Sequence, residues 1–245
     1  MTQVSAEGTE GTEGIGGIDV EAGAEDSHWV RWHAPYEDPA SPLSLRLRLV
    51  QHALEQALSV APAGEIRLVS LCAGQGRDVI DVLATHPRGR DVRGMLVELD
   101  PELAAFARTR AAAAGIGTLV TVEEGDASRC SWYQAMVPAH VVMVCGVFGN
   151  ISADDLDHMI GALPAFCADG AHVIWTRHRR PPDATPHIRD AFEAAGFEEV
   201  SFESPPDPYV LSVGHHRYRG GGGERPPFDP DQILFEFVGD GARPA

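Results

Sequence analysis

At 245 residues, 44% of them hydrophobic, the chain can bury one substantial core and is short for two full domains with a linker. Its formal charge of −17 opposes nucleic acid and anionic membranes as partners, and no interleaved basic and aromatic stretch offsets it. No segment approaches the roughly 18 consecutive apolar residues of a membrane span, and the N-terminus lacks a signal-peptide core, so a soluble, cytoplasmic protein is expected.

Residues 1–27 repeat a Gly-Thr-Glu echo and carry seven acidic side chains (Glu7, Glu10, Glu13, Asp19, Glu21, Glu25 and Asp26) with no basic one. Such composition cannot repay ordering entropy, which predicts a disordered acidic tail. The remainder still carries −10, so the folded part is acidic too. Residues 28–64 read as a lid and an entry helix. The aromatic, proline-broken stretch HWVRWHAPYEDPASPL leads to Ser41 as helix cap and Pro42 at the first helical position, with Leu47, Val50, Leu54, Ala57 and Leu58 at helical spacing.

From residue 65 to the end, apolar strands alternate with helices. The expected strands are Ile66–Cys72, Val92–Glu98, Val120–Glu124, Val141–Val144, His172–Thr176, Glu199–Glu203 and a last pair drawn from Val210–His216 and Ile233–Val238. This pattern predicts an α/β protein with a doubly wound, mostly parallel seven-stranded sheet. The closely spaced final strands predict an antiparallel C-terminal edge, and RGGGGERPP from Arg219 a flexible loop. The four cysteines, Cys72, Cys130, Cys145 and Cys167, lack paired spacing and read as reduced thiols, mostly in the core.

Four strand ends carry candidate chemistry. The first leads into SLCAGQGRDVIDVL, where Gly74 and Gly76 let backbone amides approach a ligand at a helix N-terminus. A dinucleotide fingerprint wants a third glycine where Val79 stands, which argues against NAD. The second ends at Glu98, suited to ribose hydroxyls, whereas Asp100 before Pro101 fits a helix cap. The third ends at Gly125-Asp126, where Asp126 can accept from an exocyclic amine or simply form an Asx turn. The fourth delivers Gly146, Phe148, Gly149 and Asn150 to the same edge, and Gly149-Asn150 also fits a plain turn.

The ordered series resembles class I S-adenosylmethionine-dependent methyltransferases, from about Ile66 to Glu203. The flanking WHAPYEDPASPLSLRL and VIWTRHRRPPD further resemble a group of actinobacterial methyltransferases whose acceptor is not assigned. The resemblance implies a Rossmann-like fold and S-adenosylmethionine as cofactor. It maps the glycine-rich motif onto Ser70, Cys72, Gly74 and Gly76, the ribose acid onto Glu98 and the adenine-contacting acid onto Asp126. Ala73, Leu99, Ala127 and Gly146 complete the expected cofactor set, with Tyr36 reaching the methionine end. Two departures stand out: Ser70 replaces the family's first acid and Cys72 its first glycine. Asp78 is the candidate replacement for the lost acid.

Methyl transfer to a small molecule, at oxygen, nitrogen or carbon, is the expected function. Any general base is sought among His28, His33, His178, His215 and His216, with His33 and His178 foremost. Trp32, Phe148 and Asn150 are expected to line the acceptor. The run Asp154, Asp155, Asp157 and His158 falls at a helix start and reads as caps and solvated charge, so no metal is expected. A homo-oligomer is left open. The rival readings are a non-catalytic adenosylmethionine-binding protein and an enzyme using the same pocket for a non-methylation reaction.

Overall fold

The apolar residues of each central strand alternate between two faces, and both faces are covered. In the computed structural model, which describes residues 34–205, 211–220 and 225–238, this yields a seven-stranded sheet. The strands are β1 (Ile66–Leu71), β2 (Val92–Glu98), β3 (Val120–Glu124), β4 (Ala139–Val144), β5 (Cys167–His178), β6 (Phe197–Glu203) and β7 (Leu211–Tyr218). The helices are α1 (Pro42–Val60), α2 (Arg77–Thr85), α3 (Pro101–Ala113), α4 (Ala153–Phe166) and α5 (Thr185–Ala194), preceded by a 3-10 turn at Ala34–Glu37. The acidic tail and the lid residues His28, Trp29, Trp32 and His33 lie outside the described residues.

Strand order is β3-β2-β1-β4-β5-β7-β6. The first five strands pair parallel, while β7 runs antiparallel to both β5 and β6. Leu68, Val141 and Met143 face one core with α1, α2 and α3, whereas Val69, Val142 and Val144 face the other with α4 and α5. The strands leave β1 toward β2 and β3, then return to β4 on its other side. The β1–β4 boundary is therefore a topological switch point, where open α/β sheets form a crevice at the carboxyl ends.

The helix starts follow their caps. Ser41 Oγ accepts from the Ser44 N–H at 3.1 Å ahead of Pro42, and Asp100 Oδ1 accepts from the Glu102 and Leu103 amides at 2.9 and 3.1 Å ahead of Pro101.

The sheet corrects one expectation. Ile233–Val238 is not one of its strands: β7 slots between β5 and β6, leaving β6 at the edge. The C-terminal segment instead makes isolated antiparallel bridges, Arg129 with Ile233 and Ile151 with Phe237. Its amides serve loops: Leu234 N–H donates to Ser128 O at 2.9 Å and Val238 N–H to Asn150 O at 2.8 Å. Leu234 and Phe235 are buried against the α4 face. The segment is thus a strap joining the loops that follow β3 and β4.

Candidate functional site

The turn after β1 is built on left-handed backbone. Cys72, Gly74 and Gly76 have φ of 51°, 55° and 66°. Glycine adopts that region freely, whereas Cys72 holds it as the one non-glycine residue so placed among those described. At Gly76 a Cβ would also come within 2.7 Å of Ile80 Cδ1. The turn is laced to β2: Ala73 N–H donates to Val97 O at 3.0 Å, and Gly74 N–H to Glu98 Oε2 at 2.6 Å. Glu98 Oε1 accepts from the Asp100 N–H at 2.9 Å. Burial raises the Glu98 carboxyl above its ordinary pKa despite these amides. Beside it, Leu99 is 43% exposed at the crevice edge.

At the end of β3, Asp126 forms the Asx turn that its sequence allowed. Its Oδ1 accepts from the Ser128 N–H and hydroxyl at 3.0 and 2.7 Å, while Oδ2 lies 3.5 Å from Arg129 Nε. Ala127 is buried behind it, its carbonyl accepting from the Tyr133 hydroxyl at 2.9 Å.

Beyond β4, Gly146 has φ 83° and open space where a Cβ would lie. Its N–H donates to Thr176 Oγ1 at 2.9 Å, and its carbonyl accepts from Asn150 Nδ2 at 2.7 Å. Asn150 therefore closes its own loop in this structure. Phe148 corrects an expectation: its ring is fully buried against Trp175 and Phe192, so it packs the core rather than lining an acceptor pocket. What the loop presents is the Phe148 carbonyl, which accepts from Arg177 Nη1. His178 follows on β5, half-buried, its Nδ1 without a hydrogen-bond partner among the described residues. Burial first, then Arg177 and Arg180, lower its pKa. His215 and His216 lie inside the sheet, away from these strand ends.

On the other sheet face, four polar side chains gather at the ends of β1 and β4. The Tyr36 hydroxyl accepts from Arg46 Nη2, and Asp78 hydrogen-bonds the Cys145 thiol. Asp78 also accepts from the Val79 N–H at 3.0 Å. Desolvation raises the Asp78 pKa to about 6, with Arg46 pulling against it. Burial likewise raises Tyr36, again opposed by Arg46. Ser70, where the resembled family has its acid, is 1% exposed and its Oγ has no partner among the described residues.

No family model and no curated protein matches the chain. Solved structures do. The magnesium protoporphyrin IX methyltransferase of Synechocystis PCC 6803 with bound SAM is 12% identical, with a TM-score of 0.60 over 78% of this chain and 90% of that one. The fold is that of S-adenosylmethionine-dependent methyltransferases. An O-methyltransferase family protein from Burkholderia thailandensis is 19% identical with a TM-score of 0.54, over 71% of this chain; the match spans only 57% of that longer chain. The cyclase SpnF shares the fold at 13% identity and a TM-score of 0.52, over 71% of this chain and 82% of that one.

Two features of this methyltransferase fold escaped the sequence reading. Arg77 ties the segment before α1 to the glycine turn: its Nη2 donates to Glu37 Oε1 and its Nε to Gln75 Oε1, both at 2.6 Å. Its guanidinium carbon sits 5.7 Å from the Tyr36 ring centroid and 5.4 Å from that of Phe106. Trp132 lies over Gly125 so closely that a Cβ there would meet its ring at 2.4 Å, and its Nε1 is buried without a partner among the described residues. Neither contact has a local sequence signal. The acidic run at the start of α4 is spent on surface bonds: Asp155 Oδ2 accepts from the Ser152 hydroxyl at 2.9 Å and Asp157 pairs with His187 at 2.6 Å.

Proposed function

We propose that the protein binds S-adenosylmethionine in the crevice over β1, β2 and β4 and transfers its methyl group to a small-molecule acceptor. The observation that carries this reading is the Cys72-Ala73-Gly74-Gln75-Gly76 turn at the switch point, with Cys72, Gly74 and Gly76 in left-handed backbone and Gly74 hydrogen-bonded to Glu98. Amides at a helix N-terminus, beside a carboxylate and an exposed apolar side chain, have the chemistry an adenosine with a charged tail requires. The fold neighbour from Synechocystis, solved with bound SAM, supports the assignment.

In this reading Glu98 accepts from the ribose hydroxyls, Leu99 supports the base, and the outer oxygen of Asp126 faces the adenine amine. Ala73, Gly74, Gly76, Ala127 and Gly146 allow close backbone approach. Asp78 and Tyr36 serve the methionine end. Bound there, the sulfonium supplies an already activated methyl group for in-line displacement, so positioning and desolvation dominate. The acceptor site lies beyond Gly146 and Asn150. His178 is neutral near pH 7, because burial and the neighbouring arginines lower its pKa, and is therefore fit to take a proton from an acceptor hydroxyl or ammonium.

A second reading keeps the cofactor pocket and replaces methyl transfer with another reaction. It is favoured by the likeness to SpnF, a cyclase. Incubating the full chain with methyl-labelled S-adenosylmethionine and the small-molecule fraction of a cell extract separates the two. Label in a small-molecule product supports methyl transfer. Cofactor binding with label retained on the donor supports the second reading.

A further inference from the structure

The chain carries a formal charge of −17, yet its fifth strand runs out through Arg177-His178-Arg179-Arg180. These residues stand beside the loop that follows β4, next to the place given to the acceptor. Arg177 and His178 are half-buried, and each keeps a buried nitrogen, Nε and Nδ1, without a hydrogen-bond partner among the described residues. The loop comes close to both: a Cβ at Gly149 would lie 3.5 Å from Arg177 Nη1 and 3.9 Å from His178 Cδ2. Arg177 Nη1 donates to the Phe148 carbonyl, which places the guanidinium but supplies no counter-charge. Leaving a buried donor or cation without an acceptor is costly, and a ligand that supplies one removes the cost.

The surrounding charges do not cancel. Arg179 Nε donates to Asp183 Oδ2 at 3.1 Å and its Nη1 to Ser204 Oγ at 3.0 Å, so that pair is closed. Asp183 Oδ1 is taken up by the Thr185 N–H and hydroxyl at 2.9 and 2.7 Å. Arg180 is exposed and has no hydrogen bond or ion pair among the described residues. The other acids of the crevice gather at its cofactor end: Glu98 ends β2, Asp126 follows β3 and Asp78 lies in the first turn of α2. The arginines at that end are engaged, Arg77 by Glu37 and Arg46 by Tyr36. The crevice is therefore polarised, acidic where a sulfonium donor would lie and basic beyond β4.

We infer that the methyl acceptor is an anionic small molecule bearing a carboxylate or phosphate, and that Arg177 and Arg180 bind this group while a separate heteroatom receives the methyl beside His178. The inference rests on the methyl-transfer reading above. Guanidinium groups suit the task because their planar forks match carboxylate and phosphate oxygens, and a local basic cluster is what an acidic protein needs to hold an anion. In the reaction the sulfonium C–S bond breaks as the bond from the methyl to the acceptor heteroatom forms. The heteroatom's proton passes to His178, and the anionic group is left unmethylated. Arg177 and Arg180 oppose a charged imidazole, so an anion held by them also offsets that repulsion when His178 takes the proton.

The test uses the full chain, methyl-labelled S-adenosylmethionine and the small-molecule fraction of a cell extract, split on an anion exchanger at pH 7.5 into retained and unretained pools. Label should enter a product from the retained pool, and that product should itself be retained, since its negative charge survives. Loss of retention after phosphatase treatment assigns a phosphate; retention that survives assigns a carboxylate. On the diluted retained pool, Arg180→Gln should lower the rate about tenfold, the low end for a hydrogen bond to a charged group, with S-adenosylhomocysteine affinity unchanged by calorimetry. Arg180→Lys should recover part of the loss. Arg177→Gln should lower the rate further; because Arg177 also holds the Phe148 carbonyl, the exposed Arg180 keeps the test independent of folding. A labelled product formed from the unretained pool, or one without negative charge, overturns the inference. So does an Arg180→Gln variant as active as wild type on the retained pool. No labelled product from either pool, with S-adenosylhomocysteine still bound, overturns the methyl-transfer reading itself and the inference with it.

Discussion

Glu98 Oε2 accepts the backbone N–H of Gly74 at 2.6 Å, so the acid ending β2 holds the glycine turn ending β1. The same carboxylate accepts from the Asp100 N–H, which places α3 as well. One buried side chain thus fixes two walls of the crevice while retaining lone pairs for a ligand.

Replacing Glu98 by Ala should weaken S-adenosylhomocysteine binding by about 1.5–3 kcal/mol, the range for a hydrogen bond to a charged group. Because the Gly74 and Asp100 amides also lose their acceptor, the melting temperature should drop together with affinity. Glu98→Gln keeps one carbonyl acceptor and should fall between the two. Calorimetry and thermal melting on the three proteins check this. Unchanged affinity in Glu98→Ala would move the ribose contact elsewhere.

Cys72 offers a backbone test. A non-glycine residue in left-handed conformation costs about 1–2 kcal/mol. Cys72→Gly should therefore hold or raise the melting temperature and retain ligand binding. Cys72→Val, β-branched in the same conformation, should lower both. Denaturant unfolding of the pair measures the difference, and greater stability in Cys72→Val would contradict the geometry.

The fold and most β-strand ends were legible because apolar alternation and caps act locally: β1 through β4 lie within two residues of their expected bounds, and Ser41 before Pro42 and Asp100 before Pro101 cap as expected, whereas β5 runs on at both ends, over Cys167–His178, beyond the expected His172–Thr176. Ile233–Val238 misled because apolar residues in extended chain look alike whether their amides pair with a sheet or, as here, with the loops at Ser128 and Asn150. Phe148 misled because its place after β4 does not say which way a ring turns; Trp175 and Phe192, distant in sequence, decide that. Arg77 and Trp132 were invisible for the same reason, since Arg77 is placed by Glu37 and Phe106, tens of residues away, and Trp132 by its close approach to Gly125.

Asp78 should make ligand affinity depend on pH. Its pKa in the free protein is raised to about 6, chiefly by burial, and the ammonium partner requires the carboxylate. Affinity for S-adenosylhomocysteine should be flat above pH 7 and fall below about pH 6, approaching tenfold per pH unit for a single protonation. Asp78→Asn should bind more weakly at pH 7.5 and lose that slope. A slope that survives in Asp78→Asn would assign the titration to another group.

Acid should unfold the protein through three buried histidines. His172 Nδ1 and His215 Nε2 share a hydrogen bond at 2.8 Å, and Trp175 donates to His216 Nδ1 at 3.1 Å. Burial is the main cause lowering their pKa values to about 4, 3 and 4 for His172, His215 and His216. The unfolded chain, with histidine near 6.5, binds more protons in that window, so stability is fully present above about pH 6.5 and declines as pH falls toward 4. Melting temperatures across pH 4–8 should show this decline, and it should flatten in a His172→Gln, His215→Gln double variant. An unchanged profile in that variant would place the acid sensitivity elsewhere.

The crevice over β1, β2 and β4 is proposed to take S-adenosylmethionine. Titrating the full-length protein with S-adenosylhomocysteine, with melting followed in parallel, tests it most directly. Saturable binding is expected, with a melting temperature that rises with ligand concentration, since a ligand bound only to the native state stabilises it by mass action. No binding and no shift at millimolar ligand, with NADH raising the melting temperature instead, would contradict it.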